Sequence, residues 1–271
     1  SPIFISKVAS IIKESRGERT WQSMIDHAEP YENDATKTLK GFFNKQKEEA
    51  VKNLYGYKGF TKAVDAEQSC DWESWKVQFM EFEQLLLPEI FATWGQEVLN
   101  TLIIGISFNI DVPQIDEFIN SYSYKMALNT NETTKKQIQE LFKQAIDEGN
   151  GIPQIEKKLR SLFTDISKVK ANMIARTETL RAHNAAAEQS YIQSGVVFYK
   201  QIWTSRDERR CPFCGFLHGK QIPVGVNYFN LGDTLTVMVD GEPKTMKFDY
   251  ADVSSPPFHI NCRCVLLPIT A

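Results

Sequence analysis

Four cysteines and one histidine near the C-terminal end constrain this 271-residue chain more than any other feature. Cys-Pro-Phe-Cys occupies residues 211–214, and His-Ile-Asn-Cys-Arg-Cys occupies residues 259–264. A C-x-x-C turn places two thiolates on one side of a tight loop, and a tetrahedral Zn²⁺ site takes four soft or borderline ligands from two such loops. The spacing therefore predicts a structural zinc site. Five residues can act as donors, one more than zinc needs. They are Cys211, Cys214, His259, Cys262 and Cys264.

The choice among these donors is open at the level of the sequence. Cys211 and Cys214 take two positions, so three donors compete for the other two. A His-x-x-Cys turn favours His259 with Cys262, whereas an extended Cys-x-Cys segment would point Cys262 and Cys264 to the same face of a strand. We expect Cys211, Cys214 and His259 as ligands, with either Cys262 or Cys264 as the fourth.

Two other uses of the cysteines fit the sequence less well. Disulfides joining Cys211 to Cys262 and Cys214 to Cys264 would leave Cys70 unpaired, and no secretory signal is visible. A glutaredoxin-like redox dithiol requires a βαβ context, whereas a polar stretch precedes Cys211. Reduced cysteines instead indicate a chain that folds in a reducing cytoplasm.

Composition excludes some classes of protein. Hydrophobic residues make up 42% of the chain, enough for a substantial core, and the net charge of −3 provides no global basic field that would recruit nucleic acid. The longest apolar runs, at 85–87 and 102–104, are far shorter than the ~20 residues that span a bilayer. The chain starts with Ser-Pro rather than Met, so we expect a piece of a longer protein.

Helical periodicity dominates up to residue 195. Apolar spacing predicts a long helix over 168–194 and a separate short helix over 152–163. Pro30 predicts a helix break, and Pro88 predicts the first turn of a new helix. A polar stretch at 129–134 predicts a further break between helices.

The pattern changes to β after residue 195. Residues 196–203 are β-branched and aromatic, 235–239 and 244–248 flank a turn as in a hairpin, and 265–267 predict the last strand. We therefore predict a mainly α protein with a small C-terminal zinc-stabilised β-rich subdomain, an α+β fold.

Three domains follow from this division. An unassigned N-terminal helical region covers 1–110, a second helical part covers 111–195, and a β-rich zinc-binding knob covers 196–271. The knob has little core of its own, so metal would contribute much of its folding free energy, up to about 10 kcal/mol.

An ordered set of motifs resembles the phage Mu F-like family of head morphogenesis proteins. The resemblance covers roughly residues 115–268, and the first ~110 residues carry no motif that we can assign to a family. One departure is a long hairpin insert between Gly219 and Pro256. The motifs are Ala-Arg-Thr-Glu at 175–178, Gly195 with a strand to Trp203, Asp207 four residues before Cys211, Gly-Lys at 219–220, Pro257, and the His259 to Cys264 segment.

The resemblance implies a minor capsid protein of a tailed bacteriophage or prophage. Such a protein associates with the portal protein and other capsid proteins, acts in head assembly and DNA packaging, and is carried in the virion after assembly in the host cytoplasm. We expect no enzymatic activity. Arg176 and Glu178, in the Arg-Thr-Glu motif, are expected to brace the loops of the zinc knob, because catalysis would require a pocket that the sequence does not reveal.

Two alternatives belong to other functional classes. A phage-delivered effector or metal-dependent nuclease would use His218 or His259 in a site with three protein ligands and a bound water. A DNA-binding zinc module would use basic residues around the site to contact phosphates. The acidic neighbours Asp207 and Glu208 reduce the positive charge of this group. These basic residues are Arg206, Arg209, Arg210, Lys220 and Arg263.

Overall fold

The computed structural model describes residues 2–56, 65–204 and 210–270, with side chains from Arg16 onward. Helices come first along the chain, and strands are confined to its C-terminal part, which confirms the mainly α fold with a small β-rich end. No helix in these ranges has an apolar stretch able to cross a membrane. The helices are α1 (Pro2–Gly56), α2 (Trp72–Thr101), α3 (Pro113–Asp147), α4 (Ile152–Ser194) and α5 (Pro212–Leu217), with a 3₁₀ turn at Ala66–Gln68.

The strands form a three-stranded sheet and a separate hairpin. The strands are β1 (Val197–Trp203), β2 (Gln221–Pro223), β3 (Thr234–Val239), β4 (Glu242–Lys247) and β5 (Val265–Thr270). The sheet has the order β2-β1-β5 and is antiparallel throughout, with Gln201 opposite both Gln221 and Leu267. In the hairpin, β3 pairs with β4 through a turn in which Asp240 and Gly241 have φ of 52° and 84°, as a type I′ turn requires. The predicted strands are confirmed.

The chain divides into two compact units, each made of separate segments. The first contains residues 1–31, 89–110 and 176–271, and therefore all the strands. The second contains residues 32–88 and 111–175 and is helical. The prediction was three consecutive domains with boundaries at residues 110 and 195, and it stays a prediction.

The helical unit is held by a continuous apolar core. Its largest side chains, Phe43, Phe79, Phe142 and Phe163, are fully buried. Burial of a side chain of this size stabilises a fold by about 1.5–3 kcal/mol. Each of the four long helices contributes one of these rings, so all four helices share this core.

Two predicted helix ends are wrong. α1 continues through Pro30, and α2 continues through Pro88, so Pro88 does not begin a helix. An interior proline removes one backbone hydrogen bond and costs about 3 kcal/mol. Packing on either side outweighs that cost, since Ala28 and Ala35 flank Pro30 on buried positions and Leu87 and Ile90 flank Pro88 in the same way.

The predicted break at 129–134 is also wrong, because α3 runs through it. Three of its polar side chains, Thr130, Asn131 and Thr134, are buried. Asn131 Nδ2 donates to the Trp72 carbonyl at 2.8 Å, and Thr134 Oγ1 donates to the Thr130 carbonyl at 2.8 Å. Likewise, the helices predicted at 152–163 and 168–194 are one helix, α4.

Candidate metal centre

The first half of the site is the N-terminus of α5. Cys211 is the N-cap residue, and its Sγ accepts a hydrogen bond from the backbone N–H of Cys214 at 3.3 Å. Pro212 follows at the first helical position, where its missing N–H has no bond to lose. The turn closes as Gly215 N donates to the Cys211 carbonyl at 2.9 Å. This local geometry places the thiols of Cys211 and Cys214 side by side.

The second half is a tight turn just before β5. Cys262 N donates to the His259 carbonyl at 3.1 Å, and Asn261 adopts a left-handed conformation with φ of 59°. Nδ1 of His259 donates to the Ile260 carbonyl at 2.8 Å. A metal-binding histidine commonly uses one ring nitrogen for such a bond, which fixes the tautomer that leaves the other nitrogen as the ligand. In His259 that other nitrogen is Nε2.

The structure brings all five candidate donors together. Cys211, Cys214 and His259 form one group of ligand atoms within 4.8 Å of one another, and Cys214, Cys262 and Cys264 form a second. Cys214 belongs to both groups. His259 Nε2 lies 3.1 Å from Cys211 Sγ and 3.0 Å from Cys214 Sγ, and the Cys214 and Cys262 sulfurs are 3.8 Å apart.

These distances fit a tetrahedral zinc centre. Zn–S bonds of about 2.3 Å and Zn–N bonds of about 2.0 Å give sulfur–sulfur edges of about 3.8 Å and sulfur–nitrogen edges of about 3.5 Å. The Cys214–Cys262 distance matches the first value, and the two sulfur–nitrogen distances are shorter than the second. The donor set could therefore hold a metal ion, and its thiolates and imidazole are the ligands that zinc prefers.

Burial and hydrogen bonding shift the pKa values of these side chains in different directions. Cys214, Cys262 and Cys264 are buried, while Cys211 is partly exposed. The hydrogen bond from Cys214 lowers the pKa of the Cys211 thiol to about 4. Burial lowers the pKa of His259, but its hydrogen bond to Cys211 and the charge of Cys262 outweigh burial and raise it to about 9. The lowered pKa favours the thiolate of Cys211, the form that binds metals, whereas His259 must release a proton before its Nε2 can bind one.

A polar cavity of about 240 Å³ opens beside the cysteines. Three arginines, Arg176, Arg210 and Arg263, line it together with the thiols and His259. No acidic side chain is among the described residues that line this cavity. The described part of the lining thus places three guanidinium groups beside the thiols.

The comparisons with known proteins agree with this region. Residues 136–267, a little under half of the chain, match the family described as Phage Mu protein F like protein. This segment is similar to the Phage Mu F-like proteins. The chain is also 27% identical over 233 residues to the uncharacterized protein YqbB of Bacillus subtilis (strain 168), covering 85% of this chain and 71% of that protein. No solved structure matches the chain.

Helix α4 carries the Arg-Thr-Glu motif, and its three side chains make different contacts. Arg176 lines the cavity, and Glu178 accepts a hydrogen bond from Arg181 Nε at 3.0 Å. Between them, Thr177 Oγ1 accepts from the backbone N–H of Asn261 at 3.2 Å. The bracing role of Arg176 and Glu178 stays a prediction.

Sequence reasoning did not assign a role to Asn184, which orients the second loop from a fully buried position. Its Nδ2 donates to the Cys264 carbonyl at 3.1 Å, and its Oδ1 accepts from Leu266 N at 2.9 Å. Asn184 therefore fixes the backbone on both sides of the point where β5 begins. Its position seven residues after Thr177, on the same helical face, is the signal that could have identified it.

The remaining predicted residues lie in different surroundings. His218 is outside both donor groups; its Nδ1 accepts from Thr204 N at 3.3 Å, and its ring packs on Trp203 with centroids 4.6 Å apart. Lys220 Nζ lies over the Phe229 ring. All five cysteines are free thiols, so the disulfide alternative is not observed. Arg206, Asp207, Glu208 and Arg209 lie outside the described residues.

Proposed function

We propose that this protein is a minor structural component of the head of a tailed phage or prophage, and that a zinc ion stabilises its C-terminal β part. The proposal rests on one coincidence: the Mu F-like segment, residues 136–267, contains all five candidate donors. Similarity to this family suggests head morphogenesis. Contact with the portal protein, a part in assembly and DNA packaging in the host cytoplasm, and presence in the virion belong to the proposal.

The centre is assigned a structural rather than a catalytic role. Four protein donors fill a tetrahedral zinc coordination sphere and leave no position for a water or a substrate. The site offers five candidate donors in total, so four protein ligands are available without a bound water. A nuclease or effector would instead need an open coordination position.

The head role is tested by quantitative mass spectrometry of particles purified from the host that encodes this chain. The copy number is measured against the portal protein and the major capsid protein in both proheads and virions. We expect a fixed, low copy number in each. Absence from both kinds of particle would refute the assignment and leave the effector alternative in its place.

The metal assignment is tested by elemental analysis of protein purified without chelator. We expect one zinc per chain, and the geometry favours Cys262 as the fourth ligand because its sulfur lies 3.8 Å from that of Cys214. Cys262→Ser should therefore lose zinc and Cys264→Ser should keep it, with Cys70→Ser as the control for thiol loss elsewhere. Zinc lost only from Cys264→Ser would reverse the choice, and no zinc in the unmodified protein would reject the metal.

A second role, contact with DNA phosphates, is favoured by the guanidinium groups that line the cavity. Arg210 is exposed there, beside Arg176 and Arg263. Duplex DNA binding should weaken as salt rises, and Arg210→Gln should reduce the slope of log K against log salt by about 1. Absence of binding at about 50 mM salt would reject this role. Cleavage of the DNA that chelator abolishes would support the nuclease.

A further inference from the structure

A second cavity, of about 230 Å³, lies in the first unit and is separate from the cysteine residues. It is enclosed by the N-terminal part of α1, the C-terminal parts of α2 and α4, and β5. Its floor is apolar and immobilised in the core of the unit. The floor residues are Met24, Trp94, Val98, Tyr191 and Leu266, all of them buried.

The rim of this cavity is polar and carries an excess of positive charge. Arg16 and Arg19 lie on it from α1, and Glu97 lies on it from α2, so the charged side chains sum to one positive charge. Glu97 already faces a cation or donor, because His27 Nε2 is 3.7 Å from its carboxylate. Within the described ranges the guanidinium groups of Arg16 and Arg19 make no ion pair, and both side chains are exposed.

Trp94 adds an unused donor. The residue is 3% exposed, and its indole Nε1 has no hydrogen-bond partner among the described residues. A buried donor without an acceptor is costly, and most such groups in folded proteins find a partner. The cavity wall therefore combines two exposed cations and one buried N–H group, all of which complement an oxygen acceptor.

The size of the cavity selects the occupant. Sites that enclose a drug-sized ligand or cofactor usually measure about 300–1,000 Å³, so this cavity is too small for a whole molecule of that kind. Its volume and apolar floor suit one side chain, in the way that a central anchor residue fills a pocket at a protein interface. The net positive charge of the rim favours carboxylates beside that anchor.

We propose that this cavity is a docking site for an acidic segment of a partner protein. One apolar side chain of the segment enters between Met24 and Leu266. A neighbouring carboxylate of the segment pairs with Arg16 and Arg19, and an oxygen of the segment accepts the Trp94 N–H. This inference goes beyond the proposed head role and does not depend on it, since it follows from the lining of the cavity alone.

The test uses a capped peptide with a central leucine flanked by glutamates, added to the full chain labelled with ¹⁵N. The indole N–H signal of Trp94, assigned with Trp94→Phe, should shift in a saturable manner. Two control peptides isolate the two halves of the proposal: one has glutamine in place of glutamate, and one has alanine in place of leucine. Each should bind about three- to tenfold more weakly.

Protein variants provide the matching controls. Arg16→Gln with Arg19→Gln should weaken the peptide about tenfold, and Glu97→Gln should strengthen it about twofold, because the rim charge changes in opposite directions. Arg160→Gln, at a partly exposed arginine in the other unit, should leave affinity unchanged. Arg16 and Arg19 are exposed, and Glu97 and Arg160 are partly exposed. A cooperative thermal transition of each variant would confirm folding.

Three results would overturn the proposal. The first is the absence of a saturable shift at the Trp94 indole. The second is equal affinity for the glutamate and glutamine peptides, or for the unmodified chain and the double arginine variant. The third is a Trp94 shift that depends on protein concentration without peptide, which would identify a second copy of this chain as the occupant.

Discussion

The buried ion pair between Lys200 and Glu188 provides the most demanding test of the first unit. Lys200 is 0% exposed on β1, and Glu188 is 5% exposed on α4. Nζ of Lys200 donates both to Glu188 and, at 2.7 Å, to the Ser254 carbonyl. Burial lowers the pKa of Lys200, and the carboxylate of Glu188 acts against that shift. A single substitution at Lys200 therefore strands a buried carboxylate.

The magnitude follows from the buried carboxylate that the substitution leaves behind. Breaking a buried pair by removing one partner typically costs about 3–5 kcal/mol, because the remaining charge is buried and uncompensated. We therefore expect Lys200→Met to lower the free energy of unfolding by about 4 kcal/mol at pH 7.

The assay is urea denaturation at pH 7, followed by circular dichroism and tryptophan fluorescence. Lys200→Met combined with Glu188→Leu should recover most of the lost stability, because an apolar pair of similar volume replaces the buried ions. Lys76→Met, which removes a surface partner of Glu73, is the matched control and should show no resolvable change. A Lys200→Met loss below about 1 kcal/mol, or a double variant no more stable than Lys200→Met, would refute this account of the buried pair.

Three further perturbations have effects set by single contacts. Gly95→Ala places a Cβ 2.8 Å from the Phe108 ring and should cost about 1–3 kcal/mol. Gly41→Ala meets nothing within 4 Å and should stabilise its helix by up to about 1 kcal/mol. Denaturation of both variants should therefore give changes in the free energy of unfolding of opposite sign. Burial lowers the pKa of His183 to about 3, compared with an unfolded value of 6.5. Its contribution to the free energy of unfolding is therefore complete above pH 6.5 and is lost as pH falls towards 3, by about 2 kcal/mol at pH 5. His183→Gln should make the free energy of unfolding less dependent on pH in this range. Burial raises the pKa of Cys70 to about 12, so iodoacetamide at pH 8 should modify it only after denaturation, as peptide mass mapping would detect.

The donor set of the candidate site was predictable because its information is local. A C-x-x-C turn and a His-x-x-Cys turn each fix two donors by the geometry of a few residues, and the structure places both turns against each other. The strands were predictable for the same reason, since an Asp-Gly turn between two β-branched runs defines a hairpin. The fourth ligand was not predictable, because the choice between Cys262 and Cys264 depends on how the loop before β5 folds. The spacing of the two cysteines does not determine that.

The helix ends were harder to predict because the packing that decides them is long-range. Pro30 and Pro88 carry the ordinary signals of helix ends, yet both lie inside helices. The same two prolines nevertheless fall beside the changes from one compact unit to the other, at residues 31/32 and 88/89. Each proline therefore lies next to the point where the chain passes from one compact unit to the other, although the helix itself continues through it.

The part of α4 that belongs to the first unit explains how the second loop of the candidate site is held before any metal binds. Thr177, Asn184, Glu188 and Tyr191 follow one another at intervals of seven, four and three residues, so they share one helical face. Each bonds a different point of the C-terminal part: Asn261 N, the backbone around the start of β5, Lys200, and the Leu266 carbonyl at 3.0 Å. None of these bonds uses a thiol or the His259 ring. The helix thus positions the loop that carries His259 and Cys262, and a metal would join this prepared loop to the one that carries Cys211 and Cys214.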